Sequence, residues 1–388
     1  MIFTKEHAEY LSLGSLLLGC GGGGNVQQGI NAYEAAFRYA EERGSIVEVI
    51  TVEELAARHP EGGVVVTISG VGSPATPTAY TPPEYYPRLM ELLEKQLEGQ
   101  KIIGFISCEI GASNTFEPFV PASILGVPVV DAPCDGRAHP LGLMGSMGLE
   151  KKQLPVVQCA VGGRKGENGT AGQYMELSVS GSVESCAALV RNTSAQAGGF
   201  VMVARNPVDI KWLSENAASG AFAQTMELGR VWKNMLDDGT PAEEMAEKIS
   251  RMLGGKVICT GKLTGYSCIT ENALDHGEFD ICNEEGSHNV TFFNEYMTLD
   301  DGNGQRLATF PDGIILIGSD RKSYSSAMLA RAVEDGSAAG MTFNLISVDY
   351  ENLKIPTGLR YRSSYRTCEN ILGRKMMSFL EPRSLFLD

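Results

Sequence analysis

Two short apolar runs in mid-chain, Ile102–Ser107 and Val127–Val130, constrain the fold more than any other feature. Both are rich in β-branched side chains and are closed by turns of polar residues and glycine. Runs of this length read as strands buried on both faces, as in a parallel sheet covered by helices. Polar residues crowd directly behind them: Cys108, Glu109 and Asn114 after the first, then Asp131, Cys134, Asp135, Arg137 and His139 after the second. In open α/β sheets ligands bind in the crevice beyond the carboxyl ends of the strands, so the chemistry is expected in these two loops.

The flanking chain supports this architecture. Ile46–Ile50 and Val64–Ser69 read as further strands, the latter followed by a Gly/Pro-rich loop, SGVGSPATPT. Between and around them, Gln28–Glu42, a segment starting at the capping box Thr51–Glu54, and Pro82–Leu97 read as helices. Strand–helix alternation predicts a three-layer α/β domain with a mostly parallel sheet. Leu141–Leu149 reads as a buried packing segment and Pro155–Ala160 as another strand. The texture then changes, which places a domain boundary near Gly166–Gly172 and divides the chain into residues 1–168 and 169–388.

The second part is expected to be mainly β, a small barrel or sandwich. Its strands are Tyr174–Ser180, Gly199–Ala204, Val257–Gly261, Gly265–Ile269, Glu278–Asn283, Asn289–Asn294, Arg306–Phe310 and Gly313–Ile317, with a short helix at Val183–Val190. Asp209–Leu253 interrupts it as a helical insertion, in which Thr240 is the expected cap and Pro241 the first helical residue.

With 388 residues the chain exceeds one ordinary core, which agrees with two domains. A net charge of −15 argues against a nucleic-acid or anionic-membrane surface but leaves room for a small ligand bound by one local cation. Nine scattered cysteines without a C-x-x-C pair, and no apolar segment of spanning length, fit a reduced cytoplasmic protein. The basic, aromatic stretch around Arg360, Tyr361, Arg362, Tyr365 and Arg366 is expected to pack against a neighbouring subunit or an acidic patch, and so suggests a homo-oligomer.

Gly21, Gly22, Gly23 and Gly24, followed by Asn25, give up side-chain packing so that backbone can approach a ligand or turn sharply. Leading into a helix, this run is either an anion-binding cradle or a structural turn. It has neither the dinucleotide spacing nor the Lys-Ser/Thr ending of a phosphate loop, so no nucleotide cofactor is expected.

The two polar loops admit several chemistries. Cys108, Cys134 and His139 suit zinc or another divalent metal with an open position for water. Alternatively a cysteine beside histidine is a nucleophile, or the thiols are merely small buried groups. Glu109, Asp131 and Asp135 are candidate general bases, with Asp131 weighed equally as a capping residue. Arg137 is the candidate clamp for a substrate carboxylate, or else a structural partner of one of these acids.

The long pattern EIGASN, GVPVVDAPCDGRAHP, LGCGGGGN, FNEY and FPDGI resembles the S-methyl-thiohydantoin desulfurase family, formerly a domain of unknown function. The matching positions are Glu109, Ile110, Gly111 and Asn114, then Val130, Asp131, Gly136, Arg137, Ala138 and Pro140, with Asn294, Glu295, Pro311 and Asp312 farther on. His139 stands where an apolar or aromatic residue is usual, and Pro133 replaces a commonly seen acid, which marks either a subgroup with its own chemistry or a site that has lost the usual one. The resemblance implies an enzyme that opens or desulfurises a small cyclic amide. The loops themselves supply the candidates for such a site: Glu109, Asp131, Cys134 or Asp135 as catalytic groups, and the Gly21–Gly24 run, Asn25, Asn114, Arg137 and Glu295 as substrate-binding ones. The alternative is a non-catalytic subunit working beside a hydantoinase or oxoprolinase.

Overall fold

A computed structural model describes residues 1–72, 78–152, 155–271 and 274–388. Part of the Gly/Pro-rich loop expected after the Val64–Ser69 strand thus lies outside the described residues.

Two seven-stranded sheets organise the described residues. The first contains β1 (Val49–Ile50), β2 (Val64–Gly72), β3 (Ile102–Ser107), β4 (Val129–Val130), β5 (Val156–Lys165), β6 (Ala171–Gly181) and β7 (Phe200–Val208). Its order is β1-β4-β3-β2-β7-β5-β6. The first four strands run parallel, while β7, β5 and β6 are antiparallel to their neighbours. Alternation within β2 fills both faces, and β3 does the same across an irregularity in its pairing with β2. Val64, Val66, Ile68, Ile102 and Phe105 enter one core, and Val65, Ile103 and Ile106 the other. Polar residues accumulate after β3 because both faces of the strand itself are already committed to apolar layers.

Helices α1 (Lys5–Leu18), α2 (Val26–Glu42), α4 (Tyr86–Gln96) and α5 (Phe119–Leu125) contribute to the first core. Helix α3 (Val52–Arg58) covers the second, helped by α6 (Val183–Gln196) and α7 (Ile210–Asn216). The capping box foreseen at Thr51–Glu54 is present in both directions, and Thr4 closes a second one at the start of α1 with His7.

Sheet membership does not follow the expected boundary at Gly166–Gly172. Both β6 and β7 belong to the first sheet, and β7 lies centrally between β2 and β5. The change of texture marks the β5–β6 hairpin within the antiparallel half of one sheet rather than the start of a new sheet.

After β7 the helical segment foreseen at Asp209–Leu253 forms α7, α8 (Ala221–Asp237) and α9 (Ala242–Met252). The expected Thr240 cap is not made. Pro241 itself is the N-cap residue and no side chain caps the helix. Helix α8 packs on α1, and α9 on β8 (Lys256–Glu271) and β14 (Thr342–Val348), so the segment joins the two sheets.

The second sheet is antiparallel throughout, in the order β12-β11-β10-β9-β8-β14-β13. It adds β9 (Leu274–Asn283), β10 (Gly286–Phe293), β11 (Glu295–Asp301), β12 (Arg306–Thr309) and β13 (Gly313–Gly318). The strands expected at Val257–Gly261 and Gly265–Ile269 are one continuous β8 with a register shift between Leu263 and Gly265 in its pairing to β9. Contact between β11 and β13 shows that the sheet curls on itself.

The C-terminal segment forms α11 (Arg362–Leu372), which packs within this chain and meets the second of the two expectations for it, contact with acidic residues. Tyr365 is fully buried, and Arg362 pairs with Glu381 and Asp388. No helix among the described residues is long and apolar enough to cross a membrane.

Candidate active site

A cavity opens where the carboxyl ends of β2 and β3 meet the glycine run, α6, β7, the start of β9, the β10–β11 hairpin and the start of α10 (Ser326–Glu334). This is the crevice that the strand-end rule selects. Glu109, Asn114, Cys108, His139, the four glycines Gly21–Gly24 and Glu295 all line it. Asp131, Cys134, Asp135, Arg137 and Asn25 do not.

Glu109 is the best-placed group. One carboxylate oxygen accepts from the Asn114 Nδ2 at 2.5 Å, and the other from the His139 backbone N–H at 3.0 Å. Its position is fixed from two loops, because the chain after β3 is tied to the chain after β4 by Ile110 N–H to Asp135 O and Cys134 N–H to Ser107 O.

Glu295 reaches the cavity from the second sheet. It follows Asn294, which takes a left-handed conformation (φ 56°) at a tight hairpin, a geometry Asn tolerates better than most residues. The Asn294 side chain accepts from the Asp275 N–H at 2.9 Å, and its own N–H donates to Asp275 O at 2.7 Å. Glu295 is 3% exposed, and its Oε2 has no hydrogen-bond partner among the described residues. Burial first, and the Glu109 charge second, push its carboxyl well above the usual carboxylate range. Two interacting carboxyls, one held by donors and the other favoured in its protonated form, are the arrangement acid–base catalysis uses.

The glycine run lets these parts come together. A Cβ at Gly22 would lie 1.9 Å from the Glu295 Oε1, so any side chain there displaces the acid. Gly23, at φ 84°, would meet the Gly111 Cα at 2.2 Å. The close approach foreseen for this run therefore serves the protein's own loops as well as the cavity wall. The expected anion cradle at the following helix is closed, since the Asn25 Oδ1 accepts from the Gln27 and Gln28 N–H groups. Asn25 is a cap, not a ligand for substrate.

Several expected roles change. The Arg137 guanidinium is fully buried, donates to the carbonyls of Ala138, Asp312 and Tyr296, and stacks 4.4 Å from the Phe310 ring. It rivets the β4 loop to the second sheet and cannot clamp a ligand. Asp131 accepts from the Phe222 and Ala223 N–H groups at 2.7 and 3.1 Å, and so caps α8, whose N-cap position is Gly220. This is the capping reading, and it leaves no free oxygen for a general base. Asp135 accepts from Arg137 N–H and stands 3.2 Å from the His139 Nδ1, which makes it a positioning group for His139 rather than a catalytic one.

Cys134 is fully buried, 3.2 Å from the Thr67 hydroxyl, and burial pushes its thiol up to about 11. Cys108 touches the cavity, but burial and the neighbouring Glu109 charge raise its thiol well above the ordinary value. Neither environment favours a thiolate. Among the described residues no group of three or more His, Cys, Asp and Glu is arranged to hold a metal ion, so Cys108, Cys134 and His139 do not form the expected ligand set. Asp312 is likewise structural, accepting two bonds from Arg383 at 2.7 Å each and the N–H groups of Thr309 and Tyr350.

Arg191 and Arg205 also line the cavity, and the sequence reading passed them over. Arg205 lies in the apolar run of β7, where its one signal is a charge inside an otherwise buried strand.

Fold and site together define a two-domain α/β protein whose cavity, bordered by both sheets, carries a pair of buried carboxyl groups. The chain belongs to the S-Me-THD-like family: residues 6–171 match its N-terminal domain and residues 182–334 its C-terminal domain. No curated protein matches it. A crystal structure of a protein from Chromobacterium violaceum, a structural-genomics target, superposes with a TM-score of 0.66 over 96% of both chains at 20% sequence identity. That likeness shows the fold alone.

Proposed function

We propose that this protein is an enzyme that uses water to open or desulfurise a small cyclic amide of the S-methyl-thiohydantoin class. The observation that carries the reading is the Glu109–Glu295 pair in one cavity, joined to membership of a family named for that ring. In the desulfurising reaction, Glu109 takes a proton from water as the oxygen adds to the ring carbon bearing sulfur. Protonated Glu295 gives its proton to the adjacent ring nitrogen. The carbon–sulfur bond then breaks, methanethiolate leaves with the proton from Glu109, and the hydroxyl proton returns to Glu295. The products are the hydantoin and methanethiol, and both carboxyls are restored. His139 and Asn114 hold Glu109 in place through the steps.

Kinetics of Glu109→Gln and Glu295→Gln test this assignment. Each substitution is expected to lower kcat by 10²-fold or more, the usual range for a positioned acid or base, with ligand binding retained. Wild-type protein that binds the ring but turns over none of it would favour a binding subunit instead.

A further inference from the structure

The cavity has a cationic side that the acid–base reading leaves unused. Residues 201, 203 and 205 of β7 point to the same face, where Val201 and Val203 pack with Val190 of α6. Arg205 ends this row and is 4% exposed. Among the described residues its Nε has no hydrogen-bond partner and no carboxylate pairs with its guanidinium. Gly142 makes room for it, since a Cβ there would lie 3.1 Å from Nη1. Arg191, on α6, lines the same cavity, is half-buried and is also without an ion-pair partner among the described residues. Burying an arginine without an acid is costly, and proteins normally satisfy its five donors with a planar bidentate acceptor. Two such residues beside one cavity, in a chain of net charge −15, concentrate positive charge and free donors where an anionic group of a ligand would be held.

We infer that Arg205 and Arg191 form a subsite for a carboxylate, so that the substrate is a cyclic amide carrying an acidic side chain. This deepens the function proposed above and takes its ring chemistry from it. The carboxylate sits on the guanidinium of Arg205, and the ring is thereby directed towards Glu109 and Glu295. Cys108, whose thiol feels both the Glu109 charge and Arg205, lines the same cavity.

Calorimetric binding with a matched pair of ligands tests the inference without requiring turnover. The probes are the S-methyl-thiohydantoin with an acetic-acid side chain and its acetamide counterpart, which differ by one charge and keep the same shape. Wild type is expected to bind the acid at least tenfold more tightly. Arg205→Gln is expected to bring the ratio near one while leaving the affinity for the amide unchanged, and Arg191→Gln to reduce it partially. Equal affinities in wild type, or a preference untouched in both variants, overturn the subsite. Should Arg205→Gln not fold, the wild-type ratio and Arg191→Gln still decide. Selective binding of the acid without turnover would leave the subsite standing and remove the proposed reaction.

Discussion

Glu117 offers a quantitative test of how this core handles charge. It precedes α5, is 7% exposed, and accepts a hydrogen bond from the Tyr86 hydroxyl within the first core. Burial lifts its carboxyl from an ordinary 4.5 to about 7, with the Tyr86 bond opposing part of the rise. The folded value lies above the unfolded one, so the stability tied to its proton is fully present below about pH 4.5. That stability is lost as pH rises through about 7. At about 1.4 kcal/mol per pH unit, the full loss between these values is about 3–4 kcal/mol, an upper figure for a group that can relax. Glu117→Gln keeps an acceptor for Tyr86 and removes the ionisation. Urea unfolding of wild type and variant at pH 5 and pH 8 reads the difference. The variant should gain about 2–3 kcal/mol on wild type between the two. An offset that does not change with pH would refute the burial argument.

Further expectations follow from the corrected roles. Asp131→Ala should cost about 1–2 kcal/mol through the lost α8 cap, read as a lower urea midpoint, with kcat of the folded fraction retained. Cys134→Ser should keep most activity, because the thiol faces Thr67 and not the cavity; loss of turnover in a stable variant would revive a nucleophilic role. Gly22→Ala should abolish turnover by displacing Glu295, yet change thermal stability by less than Arg137→Ala, which strips three carbonyls of their donor.

Much of the site's location was legible in the residues. The apolar run Ile102–Ser107 and the polar residues behind it placed Glu109 and Asn114 at a strand end, which the structure reproduces as a cavity wall. What residue types could not convey was direction. Arg137 and Asp131 sit in the same loop as His139, but their side chains turn inward to satisfy backbone groups, because that loop must seal a junction between two sheets and a helix N-terminus. Arg205 was hidden for the opposite reason. Its neighbours in Phe200–Val208 are apolar, and strand alternation alone does not say that one face of β7 ends at a cavity. Strand β7 itself was assigned to the wrong sheet because its pairing with β2 joins residues more than a hundred positions apart, a distance over which local pattern is silent.

The central claim is that water, activated by Glu109 and assisted by Glu295, attacks the ring carbon. Turnover of an S-methyl-thiohydantoin bearing an acidic side chain, run in ¹⁸O-labelled water, tests it most directly by mass spectrometry of the hydantoin and a thiol assay of the released methanethiol. The account predicts one ¹⁸O in the ring carbonyl for each methanethiol, and near-complete loss of both with Glu109→Gln. Tight binding of the ring with neither label nor thiol would contradict it.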